Sequence, residues 1–200
     1  MMGIYITVDG ARQLGKTTLI EGLRQRLEAA GHEVVVVSEP SATETSAHLR
    51  KVLRENPGRY TPTAEALIYT AARCQVLEEV VLPALQSGKI VLSENSVIST
   101  VAYQGMGMSD GQVELLTELI FPDGLMYDLG FVLRPVSDSK NVSARVNALV
   151  RDYDPVVLNA FESSYVHQRY YRSIYPMPAD RSADELLEEA RSVVERMVAE

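Results

Sequence analysis

Gly10, Gly15, Lys16 and Thr17 stand in the spacing G-x-x-x-x-G-K-T, and residues of these types at these intervals point to phosphate. Backbone N–H groups that wrap a β-phosphate must curl tightly, which puts glycine where a Cβ or a negative φ would obstruct the curl. Lys16 then reaches the β/γ-phosphates, Thr17 offers its hydroxyl to Mg²⁺, and the following helix adds the positive end of its dipole. Gln13 and Thr18 belong to the same nucleotide-binding stretch, and Arg12 lies in its middle. A plain turn between a strand and a helix yields GxxxxG often but seldom with Lys-Thr attached, so phosphate binding is the expectation.

Four further places carry residues able to do chemistry. Ser38-Glu39-Pro40 falls at the carboxyl end of a second predicted strand, where open α/β sheets bind ligands, although a Glu-Pro loop also serves as punctuation. Tyr69 and Arg73 lie four apart and share one helix face. They are either a core aromatic beside a surface arginine, or a ring that stacks on a base beside a guanidinium that hydrogen-bonds it. Glu94 stands where a third strand emerges close to the phosphate loop. It suits a Mg²⁺ water or a substrate proton, against the competing view that Ser93 or Asn95 caps a helix and Glu94 only favours its dipole. Arg145, Arg151, Asp152 and Asp154 crowd around the break set by Pro155. Such a segment is either a solvated connection or an arginine-bearing lid that stabilises charge on a transferring phosphoryl group. His32, His48 and His167 are scattered, nothing has metal-ligand spacing, and no Ser-His-Asp arrangement presents itself.

The elements that must position these residues follow from periodicity. Ile4, Ile6 and Val8 predict a buried strand, and Leu19, Leu23 and Leu27 a helix over 16–30 closed by Gly31. Val34-Val35-Val36-Val37 reads as a parallel strand covered on both faces. Ala47 to Glu55 predicts a short helix, and Thr63 to Leu85 a long one that Pro83 bends or ends, with Ala66, Leu67, Ala71, Val76, Val80, Val81 and Leu85 inward. Ile90 to Leu92 is a third strand, and Ser99 to Gly105 continues the site as a loop or short helix. Asp110 to Phe121 is a helix with Val113, Leu116, Leu119 and Ile120 inward, and Tyr127 to Leu133 a fourth strand. Asn141 to Val150 reads helical with Ser139 as cap, and Pro155 to Ile174 as a further helix whose tyrosines pack. Tyr175-Pro-Met-Pro178 is an edge strand or only a loop, because two prolines cannot donate to a ladder. Ala183 to Glu200 closes the chain as an amphipathic helix. Strand, crossover helix and strand after a phosphate loop imply a doubly wound parallel sheet.

Two hundred residues, 46% of them hydrophobic, make one α/β domain with a substantial core. A net charge of −8 without a basic tract argues against a nucleic-acid partner. One cysteine, Cys74, excludes an internal disulfide, fits a reducing cytoplasm and reads as a small apolar helix residue. No apolar run approaches membrane-spanning length, the N-terminus reads as a strand rather than a signal peptide, and Asn141-Val-Ser143 is an idle sequon.

With the loop, the Glu-Pro turn, Ala64-Glu-Ala-Leu-Ile-Tyr-Thr-Ala-Ala-Arg73, Ser99-Thr-Val-Ala-Tyr-Gln-Gly105 and the Pro122-Asp123 step in order, the chain resembles the thymidylate kinase family. The resemblance implies an α/β P-loop kinase fold, a parallel sheet of about five strands with helices on both faces, as a single domain over 1–200 with a short lid at about 145–156. It implies ATP and Mg²⁺, a deoxynucleoside monophosphate acceptor such as dTMP or a related pyrimidine nucleotide, and a homodimer through long helices. It makes Lys16 and Thr17 the ATP and metal contacts, with Gly10, Gln13, Gly15 and Thr18 around them. Glu39 and Pro40 border the acceptor site, and Arg50 matches an arginine that helps bind the acceptor phosphate. Tyr69 stacks on the base, Arg73 hydrogen-bonds it, and Ser99, Tyr103 and Gln104 line the base and sugar pocket. Arg145 and Arg151 fall in the lid.

Two positions depart from the family pattern. Arg12 stands where an acidic residue is usual in the loop, and Glu94-Asn95 where the family has an Asp-Arg pair. The expectation is that Arg12 supplies the cation that Asn95 lacks, facing the acceptor phosphate. Glu94-Asn-Ser96 is also similar to the Glu-Arg-Ser motif of deoxynucleoside kinases, in which the glutamate is the base for a sugar hydroxyl. That is the alternative reaction, and an inactive nucleotide-binding protein is a third.

Overall fold

The structure is a computed structural model that describes residues 2–104, 108–121, 125–134 and 170–198. Five parallel strands form one sheet: β1 (Ile4–Gly10), β2 (Val34–Ser38), β3 (Ile90–Glu94), β4 (Tyr127–Arg134) and β5 (Tyr171–Pro178), in the spatial order β2-β3-β1-β4-β5. The helices are α1 (Lys16–Ala29), α2 (Glu44–Glu55), α3 (Pro62–Val76), α4 (Leu82–Gln86), α5 (Val97–Gln104), α6 (Asp110–Ile120) and α7 (Ala183–Val198). The strand that precedes the phosphate loop is thus the central one, and Val8 is in register with Glu94 of β3 on one side and Phe131 of β4 on the other.

β1 is buried from Tyr5 to Asp9, yet Tyr5, Thr7 and Asp9 alternate polar groups with Ile6 and Val8. Period-two alternation sends those three to one face of the sheet, and buried polar groups persist where they are hydrogen-bonded. Each of them is. Tyr5 donates its hydroxyl to Glu39 at 2.5 Å, the Thr7 hydroxyl lies 3.4 Å from that of Tyr171, and Asp9 accepts from Ser96 and Ser99. Tyr127 lies between Tyr5 and Tyr171, tilted against the first and stacked on the second, with ring centroids 4.6 Å from each. On α1, Leu19, Leu23 and Leu27 are buried as their spacing predicts; the helix lies over β1 to β3 and against α7.

Gly130 of β4 makes room for that aromatic column, since a Cβ there would stand 2.5 Å from Cε1 of Tyr171. Gly130→Ala is therefore expected to destabilise the fold by about 1–3 kcal/mol through overpacking, read as a fall in the urea midpoint. An unchanged midpoint would show that the Tyr171 ring shifts freely.

Several elements differ from the sequence expectation. β2 is an edge strand rather than a covered one, and Val36 is 42% exposed; a run of β-branched residues signals a strand without saying where in the sheet it lies. α2 begins at Glu44 rather than Ala47, because Thr43 and Ser46 exchange side-chain and backbone hydrogen bonds in a capping box. The long helix is divided: α3 ends at Val76, a π-helical turn covers Leu77–Val81, and α4 follows. Pro83 has no N–H to return to the preceding turn, and the wider turn before it takes up the break. Leu67 and Ala71 are exposed on α3 and Leu119 on α6, so these three do not face the core. Cys74 is half-buried, and its thiol points to the Leu119 carbonyl at 3.6 Å.

The predicted helix over 155–174 is wrong at its end, for β5 starts at Tyr171. Tyr175–Pro178 forms its second half, paired with Phe131 to Arg134. Pro176 and Pro178 are tolerated because β5 has a neighbour on one side only. The predicted helix at 141–150, its Ser139 cap, Asn141, Tyr165 and the lid arginines Arg145 and Arg151 lie outside the described residues, as do Gly105 and Pro122 to Gly124.

Candidate active site

The loop after β1 has the backbone its glycines foretell. Gly10 sits at φ 134° with no room for a Cβ against the Leu133 carbonyl, Gly15 at φ 99° and Gln13 at φ 65°. These left-handed positions turn the chain from the centre of the sheet straight into the first turn of α1. Lys16 is 7% exposed and donates from Nζ to the carbonyls of Gly10 at 3.0 Å and Ala11 at 2.9 Å. Burial holds its pKa below the ordinary lysine value, Arg12 adds to that, and Glu94 and Asp9 oppose it. Thr17 donates its hydroxyl to the Glu94 carboxylate, at 3.1 and 3.0 Å from the two oxygens. Glu94 thus faces the loop from the end of β3 rather than capping a helix. Gln13 and Thr18 are exposed beside it.

Glu39 and Arg73 form the floor of the neighbouring pocket. They are 2% and 3% exposed, and Arg73 Nε donates to Glu39 Oε2 at 2.5 Å. Arg73 also donates to the Thr100 hydroxyl, while Tyr5 holds the other Glu39 oxygen. Burial opposes the Arg73 charge, and the Glu39 carboxylate with the other attractions around it outweighs that, so its pKa lies above the ordinary value. The bland reading of Arg73 as a surface residue is excluded. Pro40 follows Glu39 through a cis peptide bond. Asn95 takes φ 72°, a region that asparagine tolerates well. Its amide donates to the Glu39 carbonyl at 3.2 Å and accepts from Ser99 at 3.3 Å, so it clasps the Glu-Pro turn to α5.

A cavity of about 320 Å³ joins the two halves. Lys16, Arg12 and Glu94 line its loop end; Glu39 and Pro40 line it from the Glu-Pro turn, Arg50 from α2, and Tyr69 and Arg73 from α3; Asn95, Ser99, Tyr103 and Gln104 line it from the α5 side. Every expected acceptor-site residue therefore borders one space. Arg50 donates to Ser41 at 2.9 Å, and Gln104 approaches the Glu65 carboxylate at 3.5 Å. Arg12 is exposed at the cavity rim and has no hydrogen-bond or ion-pair partner among the described residues.

Sequence reasoning missed Asp9, Glu65, Ser96 and Thr100. The signal for Asp9 was present, as a charge inside an apolar strand one residue before the loop. It is 0% exposed and accepts from the Ser96 N–H at 2.9 Å, the Ser96 hydroxyl at 2.7 Å and the Ser99 hydroxyl at 2.8 Å. Burial raises its pKa, and these hydrogen bonds counter the rise.

A family model described as thymidylate kinase matches residues 8–150 of the chain. The thymidylate kinase of Clavibacter michiganensis subsp. michiganensis is 40% identical over 148 residues, which cover 73% of this chain and 68% of that protein. That of Gloeobacter violaceus is 34% identical over 203 residues, covering 96% of this chain and 94% of that one. Among solved structures, the thymidylate kinase from Ehrlichia chaffeensis aligns with a TM-score of 0.77 at 21% identity, over 98% of this chain and 99% of its own, and shares the fold.

Proposed function

The chain belongs to the thymidylate kinase family, and from that premise we propose that it transfers the γ-phosphoryl group of ATP to the phosphate of dTMP, giving ADP and dTDP. The observation that carries this reading is the shared cavity: the phosphate-loop lysine and the Tyr69–Arg73 pair open into one space. An acceptor oxygen attacks the γ-phosphorus while the bond to the β-phosphate oxygen breaks. An acceptor phosphate is already an anion, so the protein has charge to hold and atoms to align rather than a proton to remove.

On the donor side, Gly10, Gln13, Gly15 and Thr18 offer backbone N–H groups and Lys16 moves from the loop carbonyls to the β/γ-phosphates. Thr17 and Glu94 are oxygen donors within 3.1 Å of one another, which suits Mg²⁺. This ion takes one or two protein oxygens with phosphates and water. When bound, the ion neutralises charge on the phosphates. On the acceptor side, Tyr69 stacks on the base, Arg73 hydrogen-bonds it, Ser99, Tyr103 and Gln104 line the base and sugar pocket, and Glu39 fixes Arg73. Arg50 and Arg12 serve the acceptor phosphate, with Arg12 in place of the cation missing at Asn95. Arg145 and Arg151 complete a lid at about 145–156 of a single kinase domain.

The thymidylate kinase relatives favour the monophosphate reaction over a nucleoside kinase, in which Glu94 would take the proton of a sugar hydroxyl. A coupled assay with ATP·Mg²⁺ against the common nucleosides and monophosphates tests this. Phosphorylation of dTMP to dTDP is expected; a monophosphate product from a nucleoside, lost in Glu94→Gln, would overturn it. Arg12→Ala is expected to lower kcat/KM for the acceptor about 10–100-fold, the range for a charge-assisted hydrogen bond, with KM for ATP changed less than about twofold. Equal losses for both substrates would refute the acceptor role.

We further propose a cytoplasmic homodimer. Exposed Leu67 at 49%, Leu115 at 59% and Leu119 at 60% lie on α3 and α6, which pack together, and sedimentation that returned the 22.1 kDa monomer would refute dimerisation. No helix among the described residues is long and apolar enough to cross a membrane.

A further inference from the structure

We propose that Tyr171 is a positioning residue for the acceptor: through Ser96 and Asp9 it fixes the start of α5, and thereby the pocket wall formed by Ser99, Tyr103 and Gln104. The inference rests on the reading of the cavity as the acceptor site. Tyr171 opens β5, far from the loop in sequence, and is not among the residues that line the cavity. Its ring is held flat by Tyr127 on one side, at 27° between planes, and by the absence of a side chain at Gly130. That orientation sends its hydroxyl across β4 and β1 to Ser96, to which it donates.

Ser96 is where the connection becomes tight. A hydroxyl has one donor and two acceptor lone pairs, and all three of Ser96 are in use: it donates to Asp9 at 2.7 Å and accepts from the Ile98 N–H at 3.1 Å and from Tyr171. Asp9 accepts from Ser99 with the oxygen that also holds the Ser96 N–H. Every bond in the chain points the same way, from phenol to serine to carboxylate. Removing the phenolic hydroxyl leaves a buried Ser96 lone pair without a donor. Ser99 faces both Asp9 and the cavity, so slack at Ser96 passes to the wall of the acceptor pocket.

Tyr171→Phe keeps the ring and removes the donor. In the full chain it is expected to raise KM for dTMP about 3–10-fold, the worth of one neutral hydrogen bond, with KM for ATP changed less than about twofold. Amide hydrogen exchange should quicken over residues 96–104 and remain unchanged over α1. Asp9→Asn reverses the bond to Ser96, so adding Tyr171→Phe to it should cost less than the product of the two single effects. Should Asp9→Asn not fold, Ser96→Ala replaces it in the same cycle. Multiplicative effects, KM values for ATP and dTMP that rise together, or unchanged exchange over 96–104 would each overturn the proposal. The exchange measurement uses no substrate, so a wild-type chain inactive on dTMP would refute the proposed reaction and still leave the relay to be decided.

Discussion

Glu39→Ala is expected to lower the unfolding free energy by about 3–5 kcal/mol, the usual cost of leaving one member of a buried ion pair alone. Arg73 is almost entirely enclosed, and its Nε bond to Glu39 is its link to an opposite charge among the described residues. The variant would also strand the Tyr5 hydroxyl, whose pKa burial and then Glu39 push well above the ordinary tyrosine value. Domains of this kind have only about 5–15 kcal/mol in total, so urea unfolding at low temperature is the appropriate measurement. Replacing both members, as Glu39→Leu with Arg73→Met, is expected to recover most of the loss, because the desolvation cost disappears with the charges. The double variant should fold and yet bind dTMP poorly, since the guanidinium beside Tyr69 is gone. A loss below about 1 kcal/mol in Glu39→Ala would mean that water reaches Arg73.

Lys16→Ala is expected to reduce kcat about 100–1,000-fold, the range for removing one preorganised donor from a transition state. Lys16 is enclosed, and its ammonium rests 2.9–3.0 Å from two loop carbonyls where a phosphate oxygen can exchange for them at small cost in motion. Lys16→Arg should not restore activity: Lys16 is buried, with its compact ammonium on two loop carbonyls, and a planar fork needs more room. Because burial lowers the Lys16 pKa, its charge is lost as pH rises through a value below the ordinary lysine range. Wild-type kcat/KM for ATP should accordingly fall on the alkaline side before an exposed lysine would titrate, and that limb should be absent in Lys16→Ala. Single-turnover transfer together with ATP binding checks both expectations. A loss of less than about tenfold would mean that the loop N–H groups and Thr17 stabilise the transferring group without it.

Much of the site was legible because its signals are local. The loop declares itself within eight positions, and Tyr69 with Arg73 needs only helical spacing to share a face. What escaped was through-space pairing. Nothing near Asp9 in the chain indicates Ser96 or Tyr171, and nothing near Glu39 indicates Arg73, because the sheet order that joins them is not written in any short window. Helix faces failed for a related reason: α6 carries leucines on more than one side, so periodicity alone sent Leu119 inward, whereas α3 and the core accept Val113, Leu116 and Ile120. β5 was misread at its start because tyrosines suit a helix interior and a strand alike, and the ladder with β4 decides between them.

The central position of β1 also governs how the chain must be made. It is made before either strand that flanks it, for Ile4 pairs with Ile90 and Ile6 with Leu129, and Thr7 meets Tyr171 across 164 residues. At ~5–20 residues per second, a ribosome leaves Ile6 and Val8 without a partner strand for several seconds. An N-terminal fragment ending before β4 therefore carries the whole phosphate loop but only one side of the sheet that shapes it. The phosphate loop is thus complete in the growing chain before the β4 side of its sheet exists.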